Sequence, residues 1–150
     1  MQSNPRKTNT DMISEEVHNE VVLYDKQRNR AHCLNRMAAF VREQCDGNTP
    51  VQEIIARAHA QLELPEAEGV VMLTLKELSK AGLIEGDFAF EANGSGFTRR
   101  EVARKVLLVG ASPLVLPFVS SIIAPTAARA KSKDDSRDHK KKKRKKHDND

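Results

Sequence analysis

CLNRMAAFVREQCDGNTPVQEII, residues 33–55, is the stretch whose reading decides the fold. Leu34 closes a short apolar-leaning run. Asn35 is a good N-cap for a helix beginning at Arg36, because its side-chain oxygen can take an amide that the first helical turn leaves without a partner. Met37, Ala38, Phe40, Val41 and Cys45 recur at helical spacing and make one apolar stripe. Asp46-Gly47 stops this helix, since glycine takes the left-handed C′ conformation without a Cβ penalty. Thr49 is placed to cap a second helix, Pro50 suits its first position, and Gln52 completes a capping box. The stretch therefore predicts a tight helix–turn–helix.

Working outward, Val17, Val21-Val22-Leu23-Tyr24 and Ala31 to Leu34 are short β-prone segments, with a charged turn from Asp25 to Asn29. They predict two or three short antiparallel strands with a hairpin around Lys26 to Asn29. Beyond the opening stretch, Val51, Ile54, Ile55, Ala58 and Leu62 share one face of a helix running from about Pro50 to Leu62. Leu64-Pro65 breaks it. A third helix follows to about Ala81, with Val71, Thr74, Leu75, Leu78 and Ala81 in register, Gly82 as its C′ residue, and Leu83-Ile84 returning as a wing-like strand. The fold class is α+β: a small winged-helix-like domain over residues 14–86, made of short N-terminal antiparallel strands and three helices. Residues 1–13 read as a disordered polar arm.

Charge is uneven along the 150 residues. Residues 131–150 carry ten Lys/Arg against five Asp/Glu, whereas the other 130 carry fifteen against sixteen. The basic pI belongs to the tail, so it says nothing about whether the domain binds nucleic acid. A DNA-reading winged helix would also carry more Arg, Lys and Asn toward bases and phosphates than these helices do. Cys33 and Cys45 lack ligand spacing and read as buried thiols of a reducing compartment rather than a disulfide. His18, His32 and His59 have no metal-ligand spacing. Neither a phosphate loop, a nucleophile elbow nor an HExxH motif occurs. The reading is of a chain that is not an enzyme and takes no metal or cofactor.

In order, VVLYD, a hairpin, Leu34-Asn35 with Ala38, Cys45-Asp46-Gly47, Val51 with Glu53-Ile54, and LKELSKAGLIE resemble the PqqD family, over about residues 14–86. The family is named for pyrroloquinoline-quinone synthesis protein D. The resemblance implies a non-catalytic module that binds the leader of a ribosomally made precursor peptide and presents it to a modifying enzyme, often a radical-SAM protein. It further implies that the leader adds as an extra strand to the edge of the third strand and lies against the third helix. An edge strand offers main-chain donors and acceptors to any extended peptide. On this chain the matching residues are Arg28, Arg30, Ala31, His32, Cys33 and Leu34 on the strand side and Val70, Val71, Thr74 and Leu78 on the helix. Arg28 and Arg30 are placed to pair with acidic leader residues. The competing reading has Val71 and Leu78 as ordinary core and the arginines as solvated. Two further functions stand beside the leading one: a winged-helix DNA-binding regulator and a membrane-associated interaction module.

The membrane reading comes from the C-terminal third. Residues 87–97 read as a linker containing Asn93-Gly94-Ser95-Gly96. Residues 98–130 begin TRREVARK, continue through 23 uncharged residues (106–128) and close on Ala128-Arg129-Ala130. Paired arginines, an apolar run and Ala-x-Ala resemble a twin-arginine export signal, although Val102 and Ala103 stand where larger apolar residues are expected. As an anchor, 106–124 is nearly long enough to span a bilayer, but Pro113 and Pro117 fall inside it. An apolar helix packed on a partner protein is the third reading. The expected location is the cytoplasm, with the inner face of the cell membrane in reach of 106–124. The tail 131–150, with KKKKRKK at 140–146, is expected to be disordered.

Overall fold

The computed structural model describes residues 3–8, 11–64, 66–86 and 98–123. The β-branched and aromatic run at Val21 to Tyr24 forms the second strand of a four-stranded antiparallel sheet. Its members are β2 (Met12–Val17), β3 (Glu20–Asp25), β4 (Arg30–Asn35) and β6 (Val119–Ile123), in the order β2-β3-β4-β6. β2 and β3 turn at His18-Asn19, with His18 left-handed at φ 59. The turn between β3 and β4 is built by Asp25: its Oδ1 accepts the Gln27 and Arg28 amides, both at 2.9 Å, and its Oδ2 meets Arg28 Nη1 at 3.2 Å. Tyr24 donates to Asn29 Oδ1 at 2.6 Å to close the same turn.

Register sets the faces. Val21, Leu34 and Val119 lie in one row and Leu23, His32 and Ser121 in the next, on the face toward the helices. Val22, Cys33 and Ser120, then Tyr24, Ala31 and Ile122, make the rows of the outer face.

Three helices cover the inner face: α1 (Arg36–Gln44), α2 (Val51–Leu62) and α3 (Ala67–Lys80). As expected, the Asn35 side chain caps α1, accepting the Ala38 amide at 3.1 Å. The expected Thr49 cap of α2 does not form, because Thr49 Oγ1 is held by Asp46 Oδ2 at 3.0 Å. Asp46 also accepts the Asn48 and Thr49 amides, so the α1–α2 link is organised around the carboxylate that precedes Gly47. At the end of α3, Gly82 takes φ +72; Gly82 N donates to Ser79 O and Leu83 N to Leu78 O, the paired bonds of a Schellman stop. The strand expected at Leu83-Ile84 is β5 (Ile84–Glu85), and its partner is β1 (Arg6–Lys7).

That pairing corrects the reading of residues 1–13 as a disordered arm. Lys7 N donates to Cys45 O, Gly47 N to Pro5 O and Thr8 N to Leu83 O, while Met12 and Ile13 begin β2. Its described residues, 3–8 and 11–13, are tied down by their backbone, which their polar composition does not advertise.

The expected C-terminal apolar helix is also corrected. Residues 98–123 form α4 (Arg99–Leu108), a 3-10 turn (Pro113–Val115) and β6. Thr98 caps α4 by accepting the Glu101 amide at 3.3 Å, and Gly110 (φ +73) ends it with a second Schellman pair, Gly110 N to Leu107 O and Ala111 N to Val106 O. Among the described residues no helix is long and apolar enough to cross a membrane. The linker at 87–97, the Ala-x-Ala closure and the basic tail lie outside the described residues.

The core gathers Leu23, Leu34, Val41, Ile54, Leu73, Leu75 and Leu78, all buried, and Val102 and Val106 of α4 join it. A Cβ on Gly69 would stand 3.4 Å from Val102 Cγ2, so α4 packs on α3 at about the closest distance that a methyl group there would tolerate.

Asp25 gives this architecture a pH dependence. Its side chain is fully buried, and the Arg28 amide, opposed by desolvation, holds its carboxyl below the ordinary carboxylate range. A carboxyl depressed in the folded state stabilises fully above its unfolded value, about 3.9, and loses that contribution as the pH falls through the lower native value. Asp25→Ala is expected to cost about 2 kcal/mol at neutral pH, by stranding two amides. The difference from wild type in urea midpoint should shrink as the pH is lowered below about 4.

Candidate functional site

Arg30, Ala31, His32, Cys33 and Leu34 of the expected site lie on β4, Arg28 lies in the turn before it, and Val70, Val71, Thr74 and Leu78 lie on α3. In an antiparallel ladder a strand's residues alternate in the direction their amides face. Asn35 N donates to Phe118 O at 3.1 Å, which sets the alternation: Ala31, Cys33 and Asn35 face β6, and Arg30, His32 and Leu34 face β3. The edge expected to be open is therefore occupied by residues 119–123 of the same chain.

Asn35 holds this occupant with its side chain as well. Its Nδ2 donates to Leu116 O at 2.8 Å and its Oδ1 accepts the Phe118 amide at 3.1 Å, the same oxygen that caps α1. Arg99 at the start of α4 donates to Pro117 O at 3.0 Å, so one of the paired arginines braces the approach to β6.

The individual side chains fall into three groups. Leu34, Val70, Val71, Thr74 and Leu78 are fully buried, so the helix residues expected to line a pocket are core. Thr74 satisfies its hydroxyl inside α3, donating to Val70 O at 2.6 Å. His32 is buried but polar: its Nδ1 lies 2.7 Å from Ser121 Oγ, which makes it the side-chain link between β4 and β6 on the inner face. Burial lowers the His32 pKa, against the opposing pull of Asp25, and Arg30, Arg28 and Arg42 reinforce the fall. Burial thus favours the uncharged imidazole. The third group reaches solvent. Arg30 is exposed at the first rung of β4, Ala31 and Cys33 are half-buried on the outer face, and Arg28 divides its charge between solvent and Asp25.

The two thiols differ. Cys33 Sγ donates to Glu20 Oε2 at 3.1 Å, and that bond, helped by burial, raises its pKa. Cys45 is fully buried, donates to Val41 O at 3.1 Å, and is pushed up to about 12 by burial. Among the described residues no cluster of three His, Cys, Asp or Glu side chains is placed to hold a metal ion. A cavity of about 340 Å³ lies elsewhere, between the β2–β3 turn and the α1–α2 face, lined by Glu16, Asn19, Phe40 and Leu62 among others. None of the expected site residues lines it.

Sequence reasoning does not find Asn35 as a clamp, Ser121, Gly69 or Val102. Only the Thr98-x-x-Glu101 spacing and Gly110, which bound a ten-residue helix, give a local signal that 98–123 is structured.

Residues 20–84 match the family model described as coenzyme PQQ synthesis protein D (PqqD). The matched span runs from the first residue of β3 to the first of β5, and it excludes α4 and β6. No curated protein and no solved structure matches the chain.

This geometry has two measurable outcomes. At about pH 8 a thiol reagent should label Cys33 more slowly than a free cysteine and leave Cys45 untouched until denaturant is added. Mass spectrometry of the labelled chain reads both. Asn35→Ala, which removes a helix cap, should lower stability by about 1–2 kcal/mol in chemical denaturation.

Proposed function

We propose that this chain, whose residues 20–84 match the family model for coenzyme PQQ synthesis protein D, a family associated with peptide-modifying biosynthesis, binds a precursor (leader) peptide without acting on it. It presents that peptide to a modifying enzyme, of the radical-SAM class by family resemblance, in the making of a modified peptide or peptide-derived cofactor. The leader adds as a strand at β4, beside α3 and α4. The observation that carries this reading is that the β4 edge accepts an added antiparallel strand over five consecutive rungs, Arg30 to Leu34 against Ile123 to Val119.

The division of labour reflects the three groups of side chains. Main-chain bonds from Ala31, Cys33 and Asn35 supply affinity that is indifferent to sequence. Leu34 and the buried α3 residues act as the scaffold that keeps β4 straight and in place. Discrimination falls to the groups a bound strand would meet: His32 on the inner face, Ala31 and Cys33 on the outer face, and the cations Arg28 and Arg30 at the hairpin end. These arginines steer an acidic leader toward the edge rather than anchor it, because exposed ion pairs contribute little once formed.

The test is a titration of the isotope-labelled full chain with the precursor peptide encoded beside its gene. Chemical-shift changes should concentrate in β4, β6 and the adjoining turns of α3 and α4. Changes confined to α2, with Arg30 to Leu34 silent, would overturn the mode. Arg30→Glu is expected to weaken an acidic leader by about fivefold, chiefly through slower association and with a reduced response to salt.

A further inference from the structure

The β4 edge is filled by the chain itself, and the manner of filling resembles a bound peptide more than a core strand. β6 lies outside the matched family domain and is joined to it through residues 87–97. Its side chains contribute little burial: Val119 and Ser120 are half-buried, while Ile122 and Ile123 are 63% and 73% exposed. What holds it is main chain against main chain, the packing of Val119 and the preceding Leu116 on the core, the Asn35 clamp on Leu116 and Phe118, the Arg99 bond to Pro117 O, and the His32–Ser121 hydrogen bond. The helical half of the segment is attached by Val102 and Val106, with Val102 seated against Gly69 of α3.

From these contacts we infer that residues 98–123 are this domain's own peptide ligand, carried in cis, and that any leader must displace β6 to reach β4. The inference rests on the peptide-binding reading above. Residues 116–123 use the same groups of β4 that an incoming strand would need, so the two occupants exclude each other. Tethering makes the internal strand a strong competitor, since a short linker gives an effective concentration on the order of millimolar. Exposure of Ile122 and Ile123 makes it a displaceable one, because losing the strand uncovers little side chain that the docked state had buried. His32 gives the exchange chemical selectivity. A neutral, buried imidazole facing Ser121 favours an occupant with a hydroxyl or another hydrogen-bonding group at that rung, and an apolar residue there would leave Nδ1 without a partner.

The test uses the full chain and a dye-labelled synthetic peptide of its own residues 98–124. By the ladder alternation, Ser120 and Ile122 are the β6 residues whose amides face β4. Ile122→Pro removes one of these bonds without touching the core. The variant is checked for folding by circular dichroism and by retained amide protection in α3. The labelled peptide is expected to bind the Ile122→Pro chain at least about tenfold more tightly than the wild type. The amides of Ala31, Cys33 and Asn35 should exchange slowly in the wild type and quickly in the variant. Ser120→Pro, at the other β4-facing rung, should reproduce both effects. Equal peptide affinity for wild type and variant, or fast exchange of those three amides in the wild type, would overturn the inference. These outcomes are separable from the function itself. A precursor peptide that binds wild type and variant equally well leaves the peptide-binding reading standing and removes the internal competitor. A precursor that binds neither, while the self-peptide discriminates, does the reverse.

Discussion

The carboxamide of Asn35 joins elements that are otherwise far apart in the chain. Its oxygen accepts amides from Ala38 and Phe118, its nitrogen donates to Leu116 O, and its own backbone amide donates to Phe118 O. One residue thus ends β4, starts α1 and fixes the entry of β6. A first helical turn needs acceptors for its amides, and the last rung of an edge strand needs a partner across the ladder. Satisfying both from a single side chain makes the start of α1 and the docking of the C-terminal segment depend on each other. The direction of α1, and so the place where Met37, Ala38 and Val41 enter the core, is set at this junction.

The same economy explains why the candidate site is made chiefly of backbone. Leu34, Val70, Val71, Thr74 and Leu78 are used up by the core of a small domain, which has few apolar residues to spare. What β4 has left on its outer side is a row of amides and carbonyls and the half-buried Ala31 and Cys33. Leaving that row bare would cost little in water but would invite strand pairing by any extended chain. Covering it with β6 satisfies the groups and restricts access to one tethered segment.

Much of this is legible in the sequence, and the limits of legibility are physical. The three helices from Arg36 to Lys80 arise from apolar spacing, the Asn35 cap and the Gly82 stop, all of which act within a few residues. The match of residues 20–84 to the family model covers the same elements. Residues 3–8 mislead because β1 exists only through partners in β5 and at Cys45, tens of residues away. Thr49 looks like a helix cap, but Asp46, three residues earlier, offers two carboxylate oxygens and captures both its amide and its hydroxyl. The uncharged run after Lys105 reads as one apolar helix. Gly110 and the two prolines break it, and the β-branched residues beyond them find an edge to pair with. The resemblance points to the strand that is β4. That its neighbour is the chain itself is not visible in the sequence, since pairing between residues 30–34 and 119–123 leaves no short-range mark.

The two margins of the sheet show how composition and pairing share the task of guarding edges. β2 needs no cover, because Glu15 and Glu16 stand exposed along it and a second strand would have to desolvate them. β4 carries no such run of charge, only Arg30 at its first rung, so its edge is guarded by β6. The covering strand then becomes a margin itself, and Val119 to Ile123 bring no charge at all to it. Among the described residues the uncharged margin of the sheet has thus moved from β4 to β6, and it offers a further strand the same kind of pairing.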